Sequence, residues 1–109
     1  MQLEKNLRVL SGIQPSGALH LGNYFGMMSR MIKYQEENEL FCFIANYHAM
    51  TTLPDSKTLS SNTFNAACDF LALGLDPEKS TFWVQSDLPQ VTELTWMLAS
   101  HASVGLMDR

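Results

Sequence analysis

Gln14, Ser16, His20 and Asn23 carry amide, hydroxyl and imidazole groups that can donate hydrogen bonds to an anion without being consumed in a reaction. All four lie within Ser11–Asn23, a stretch that also holds Gly12, Gly17, Gly22 and Pro15. Gly12 and Gly17 can take a positive φ and let a ligand come close to the backbone, and Pro15 fixes φ between them. Gly22 is expected in the first turn of a helix, where a missing side chain leaves room for a flat ring to lie on the backbone. The spacing is not G-x-G-x-x-G. It is not a P-loop either, because no Lys-Ser or Lys-Thr follows the glycines. What remains is a loop suited to holding phosphate through backbone N–H groups and neutral donors.

The elements on either side support that reading. Arg8, Val9 and Leu10 have strand character, whereas from Tyr24 onward Phe25, Met28, Met31, Ile32 and Tyr34 recur at helical spacing. A loop between a strand's end and a helix's start faces the positive end of the helix dipole and unpaired N–H groups. The helix should end in Glu36-Glu37-Asn38-Glu39. Leu40–Ala45 is then a continuous apolar run, as expected of a strand buried on both faces. Strand, helix and strand make a right-handed βαβ unit, the first half of a doubly wound parallel sheet. Asn46-Tyr47-His48-Ala49-Met50-Thr51 follows the second strand directly, so His48 either faces the same crevice as the glycine loop or simply bonds a backbone carbonyl.

Asp55 or Ser56 can cap a helix running to about Leu73, with Leu59, Phe64, Ala67, Cys68 and Leu71 on its apolar side and Lys57, Ser60, Ser61, Asn65 and Asp69 opposite. Gly74 suits the C-terminal cap. Thr81–Gln85 has strand composition. A turn through Ser86-Asp87-Leu88-Pro89 leads to a last helix starting near Gln90 or Val91, with Leu94, Met97 and Leu98 as its apolar side. The sequence stops at Gly105–Arg109 in what reads as a helix still under way, which suggests truncation.

With 109 residues the chain is one domain at most, large enough for a single core. A composition of 46% hydrophobic and 17% charged residues is that of a globular protein, and no apolar run approaches the ~20 residues that cross a bilayer. The polar start Met1–Asn6 does not resemble a signal peptide. A formal net charge of −4 is not that of a basic nucleic-acid-binding surface. Cys42 and Cys68 show no metal-ligand or disulfide spacing and are expected to be buried thiols of a reducing, cytoplasmic compartment.

Pro15-Ser16-Gly17-Ala18-Leu19-His20-Leu21-Gly22-Asn23 resembles the HIGH signature of class I aminoacyl-tRNA synthetases. Gly12-Ile13-Gln14-Pro15-Ser16-Gly17 followed by Gly22-Asn23-Tyr24-Phe25-Gly26 is similar to the tryptophanyl branch of that family. Asn46–Thr51 resembles the branch's Asp-x-His-Ala-hydrophobic-Thr segment, which helps line the amino-acid pocket, with Asn46 standing in place of the acid. Gly74–Pro77, Gln85-Ser86-Asp87 and Trp96-Met97-Leu98 resemble the family's insertion between the two halves of the nucleotide fold. The resemblance runs from Val9 to Arg109. It implies a partial catalytic domain, with the first βαβ half of a Rossmann-like sheet in residues 1–52 and most of the helical insertion in 53–109.

The resemblance further implies ATP-dependent activation of L-tryptophan and transfer to tRNA(Trp), with Mg²⁺ accompanying the ATP and no metal held by the protein itself. By motif position Gln14, Pro15, Ser16, Gly22 and Asn23 would hold ATP. His20 would donate to the α-phosphate region, at a place where many bacterial members have threonine. Leu10, Gly12 and His48 would lie on the tryptophan side. Contacts with tRNA(Trp) would come from parts beyond Arg109, the complete enzyme would be a homodimer, and no membrane is involved. The alternatives are a tyrosine-activating relative on the same fold and a non-catalytic nucleotide-binding or dimerisation remnant. Against the first stand Gly12-Ile13-Gln14 and Gly22-Asn23-Tyr24, because tyrosyl relatives more usually carry a histidine after the second of these glycines, Gly22.

Overall fold

A computed structural model describes residues 6–53 and 55–108; the start of the chain, Pro54 and the last residue fall outside it. Three strands, β1 (Arg8–Ile13), β2 (Glu39–Ile44) and β3 (Thr81–Val84), form one parallel sheet in the order β1-β2-β3. Parallel neighbours need long crossovers. The first runs through α1 (Leu21–Asn23), a π-helical stretch (Tyr24–Met28) and α2 (Ser29–Tyr34). After β2 comes the short α3 (Asn46–Ala49), and the second crossover is α4 (Ser56–Ala72). A 3-10 turn (Gln85–Asp87), α5 (Pro89–Ala99) and α6 (Val104–Met107) follow β3. This is the α/β class expected from the sequence.

Leu40, Cys42 and Ile44 of β2 are fully buried under both crossovers, in one cluster with Ile13, Met28, Met31, Ala66, Phe70 and Leu75. Moving twice in the same direction with a right-handed crossover puts both helical connections on one face. The other face, bearing Leu10, Phe41, Phe43 and Trp83, is therefore only partly covered: Leu10 is 68% exposed and Phe41, Phe43 and Trp83 are half-buried. β2 is thus buried on one face, not on both as its apolar run suggested.

Local signals explain most boundaries. Asp55 accepts from the Thr58 amide at 2.8 Å and from its hydroxyl, which caps α4 as expected. Gly74 has φ +107°, the left-handed C-terminal stop that only glycine adopts without strain. The buried side of α4 is rotated from the expected one. Ala66 and Phe70 face the sheet, Phe70 against the Phe82 ring at 5.5 Å, while Phe64 is 69% exposed and Leu71 and Cys68 are exposed too. Only Cys42 is the buried thiol expected of both cysteines. The first crossover holds the π turn that no periodicity announced. Its extra residue per turn resets the helix face, so Met28 and Met31 point inward and Phe25 outward. Every residue of α5 is exposed, including the expected apolar side Leu94, Met97 and Leu98.

Candidate functional site

β1 continues through Ser11, Gly12 and Ile13, so the loop proper begins at Gln14. Gly12 is held in the strand, paired with Phe43, and has no positive φ; nor has Gly17. What Gly12 provides is space, because a Cβ there would lie 2.7 Å from the Phe43 ring. That ring in turn stacks on Trp83, with centroids 5.3 Å apart. A side chain on Gly17 would meet nothing within 4 Å.

The loop's two ends differ in burial. Pro15 is fully buried and anchors the turn, while Gln14 and Ser16 beside it are exposed. At the far end His20 is the N-cap of α1. Its Nδ1 accepts from the Gly22 amide at 3.0 Å, and the Asn23 Oδ1 accepts from the His20 amide at 2.9 Å, a reciprocal capping box. A Cβ on Gly22 would fall 2.8 Å from the imidazole. The space left by Gly22 is therefore taken by His20 and not left open for a ligand ring. Because Nδ1 is an acceptor here, the neutral ring carries its proton on Nε2. No described residue bonds that Nε2, so it is a free donor beside the helix N-terminus.

A second group gathers at the carboxyl ends of all three strands. Gln14, after β1, donates from Nε2 to the His48 carbonyl at 3.3 Å. His48, in α3 after β2, has Nδ1 3.2 Å from Oε1 of the buried Gln85 after β3. Asn46 donates from Nδ2 to the Ser86 hydroxyl at 2.8 Å, and its Oδ1 accepts from the Ser86 amide at 3.1 Å. Sequence reasoning set Gln14 and His48 on this crevice but gave no site role to Gln85, read as the end of the third strand, or to Ser86, read as the start of a turn. The available signal was position: polar residues directly beyond a third strand of the same parallel sheet share its crevice.

Among the described residues no hydrogen bond joins the His20, Gly22 and Asn23 group to the Gln14 and His48 group. Leu10 and Gly12 lie one pleat apart on the partly covered face of β1. A groove of about 530 Å³ between the loop and the end of α4 is lined by Leu19, His20, Tyr24, Met28, Asp69 and Leu73 among others. Of the candidate ligand residues it takes in only His20, so it does not coincide with the strand ends. The described residues contain no cluster of three or more His, Cys, Asp or Glu able to hold a metal ion, and no helix long and apolar enough to cross a membrane.

The model of the family "tRNA synthetases class I (W and Y)" matches residues 1–109. The chain belongs to that family. Among curated class I synthetases it is 52% identical over 103 residues to the tryptophan–tRNA ligase of Campylobacter jejuni, covering 94% of this chain and 32% of that protein. It is 55% identical to that of Rhodopirellula baltica, over the same shares. A crystal structure of the tryptophanyl-tRNA synthetase from Campylobacter jejuni superposes with a TM-score of 0.88 at 51% identity, covering 96% of this chain and 33% of that one. A structure of that synthetase complexed with ADP and tryptophan gives a TM-score of 0.88 at 53% identity, covering 94% and 32%. The chain thus spans about a third of the length of these relatives, and its parallel sheet and helices are those of a class I synthetase.

Proposed function

We propose that this chain supplies the nucleotide loop and part of the amino-acid pocket of a cytoplasmic tryptophan–tRNA ligase. The observation that supports this most is its likeness, at 53% identity, to a synthetase crystallised with ADP and tryptophan. The strand carboxyl ends converge in this chain at Gln14, His48 and Gln85. In this reading 1–52 is the first βαβ half of the catalytic domain and 53–109 most of the insertion. The whole protein is a homodimer whose remaining parts contact tRNA(Trp).

The substrate carboxylate attacks the α-phosphorus of MgATP. A new carboxyl-to-phosphorus bond forms, the α,β-bridging P–O bond breaks and pyrophosphate leaves with its electron pair. The tRNA terminal hydroxyl then displaces AMP. The carboxylate is already a nucleophile, so the protein's work is positioning and charge stabilisation. Gln14, Pro15, Ser16, Gly22 and Asn23 shape the phosphate and ribose side. His20 Nε2–H donates to charge growing on the α-phosphate, and Leu10, Gly12 and His48 border the tryptophan. The metal comes with the nucleotide, held by its phosphates.

Isothermal titration of the complete enzyme with ATP, L-tryptophan and L-tyrosine, together with tryptophan-dependent pyrophosphate exchange, tests the reading. Binding of ATP and tryptophan with exchange is the expected result. Preference for tyrosine would replace it with the sister activity, and nucleotide binding without exchange would reduce the chain to a binding module.

A further inference from the structure

We infer that Gln85 is a positioning residue that fixes the tautomer of His48, making its Nε2 a hydrogen-bond acceptor toward the crevice for an N–H group of the bound amino acid. The ligand half of this inference rests on the function proposed above; the tautomer half stands on the bonds alone. Gln85 Oε1 can only accept, so at 3.2 Å it receives the proton of His48 Nδ1. The neutral imidazole then has a bare Nε2, which no described residue bonds. The pair is held on both sides. Gln14 Nε2 reaches the His48 carbonyl, and Asn46, two residues before His48, grips both the amide and the hydroxyl of Ser86, next to Gln85. Gln85 itself is buried, so its amide is not free to wander.

His20 is held the opposite way. Its Nδ1 accepts from the Gly22 amide, leaving Nε2–H as a donor. His20 at the start of α1 and His48 beyond β2 thus present opposite characters, a donor suited to an anion and an acceptor suited to an N–H. The N–H sources on an aromatic amino acid of the proposed kind are its ammonium and its indole nitrogen. Both fit the acceptor, and a charged donor fits it better.

The test is long-range ¹H–¹⁵N correlation on this chain, labelled with ¹⁵N-histidine, at a pH where the rings are neutral. Signals are assigned by His48→Asn and His20→Asn. The expected spectrum shows His48 protonated on Nδ1 and His20 protonated on Nε2. Gln85→Met, which keeps the volume and removes the acceptor, should move His48 toward the Nε2–H form and leave His20 unchanged, while Gln85→Glu should restore the Nδ1–H form. A wild-type His48 protonated on Nε2, the result of a reversed Gln85 amide, overturns the inference, as does a tautomer indifferent to Gln85→Met.

The ligand half is read in the complete enzyme with L-tryptophan, 1-methyl-tryptophan, which lacks the indole N–H, and indole-3-propionate, which lacks the ammonium. Gln85→Met should weaken tryptophan binding about five- to tenfold, and whichever analogue escapes that loss lacks the group that His48 reads. Equal affinity of wild type and Gln85→Met for all three overturns the ligand half. Failure of the wild type to bind any of them counts against the proposed function and leaves the tautomer result standing.

Discussion

The side chain of Gln35, just past α2, donates from Nε2 to the carbonyl of Gly74 at 2.8 Å, 39 residues further along the chain. Its Oε1 accepts from the Asp76 amide at 2.8 Å and from the Ser80 hydroxyl at 3.3 Å. One buried amide therefore satisfies the backbone of the turn that leaves α4 and leads into β3. Replacing Gln35 by leucine leaves those groups unpaired, at about 1 to 3 kcal/mol for the hydroxyl of buried Ser80 and little for the groups of Gly74 and Asp76, which are not buried. Urea unfolding should show a total loss of about 2 kcal/mol; a loss below about 0.5 kcal/mol would mean that water takes over the turn.

Gly12→Ala should disturb the aromatic pair across the sheet. The added Cβ would meet the Phe43 ring at 2.7 Å, and the ring cannot yield without leaving its stack on Trp83. Overpacking of this kind costs about 1 to 3 kcal/mol. Trp83 near-ultraviolet circular dichroism should change, with Trp96→Phe as background to remove the 80% exposed second tryptophan. A spectrum and stability identical to wild type would show that Phe43 moves freely.

Gly22→Val acts on a different partner. Its Cβ would displace the His20 imidazole, breaking the bond between Nδ1 and the Gly22 amide. Loss of an N-cap costs about 1 kcal/mol, and the helix start would no longer hold a histidine donor in place. Calorimetry on the complete enzyme should show ATP affinity falling sharply while the enzyme stays folded. Unchanged affinity would remove the α1 N-terminus from the nucleotide site.

Acid should weaken the cap of α4. The Thr58 hydroxyl and amide hold the Asp55 carboxyl below the ordinary aspartate range. A depressed carboxyl stabilises the fold while ionised, so its contribution is complete above the unfolded value and disappears as pH falls through the lower folded value. Asp55→Ala should therefore lower the Tm at neutral pH, and the gap from wild type should close on titration below about pH 4. A gap constant with pH would show that the carboxylate's charge plays no part.

The two cysteines should separate cleanly by reactivity. Burial pushes the Cys42 thiol up to about 12, so it stays neutral and unreactive across the physiological range, whereas Cys68 lies exposed on α4. Mass spectrometry after brief maleimide treatment of the native chain should find one adduct, on Cys68. Equal labelling of Cys42 would mean that β2 opens readily.

Features governed by neighbours in sequence were legible. Asp55 before α4 and Gly74 after it are local signals, and the strands around Val9, Phe43 and Trp83 follow from short apolar runs between turn residues. Features governed by packing were not. Nothing in 56–72 says that Ala66 faces inward while Phe64 faces outward, because that depends on where β2 and β3 lie beneath the helix. The π turn at Tyr24–Met28 has no periodic signature. The glycine-rich loop pointed to ligand chemistry, but the partners across strand ends, Gln85 for His48 and Ser86 for Asn46, lie 37 and 40 residues away and emerge only when three strands align. Gly12 and Gly22 were read as conformational freedom or ligand space, and each instead makes room for a ring of the protein itself.

The strands stand in the sheet in the order in which they occur in the chain, β1-β2-β3. On leaving the ribosome β2, and after it β3, therefore finds its neighbour already made. Closing the sheet requires contacts spanning 31 residues, as between Arg8 and Glu39, and then 40, as between Asn46 and Ser86. Lengthening a loop by that amount adds only a fraction of the roughly 0.6 kcal/mol that a doubling costs. Among the three described strands, none has to wait for sequence beyond its successor, and none has to be inserted between two that have already paired. These three strands can join one after another at a single edge, at the pace of translation.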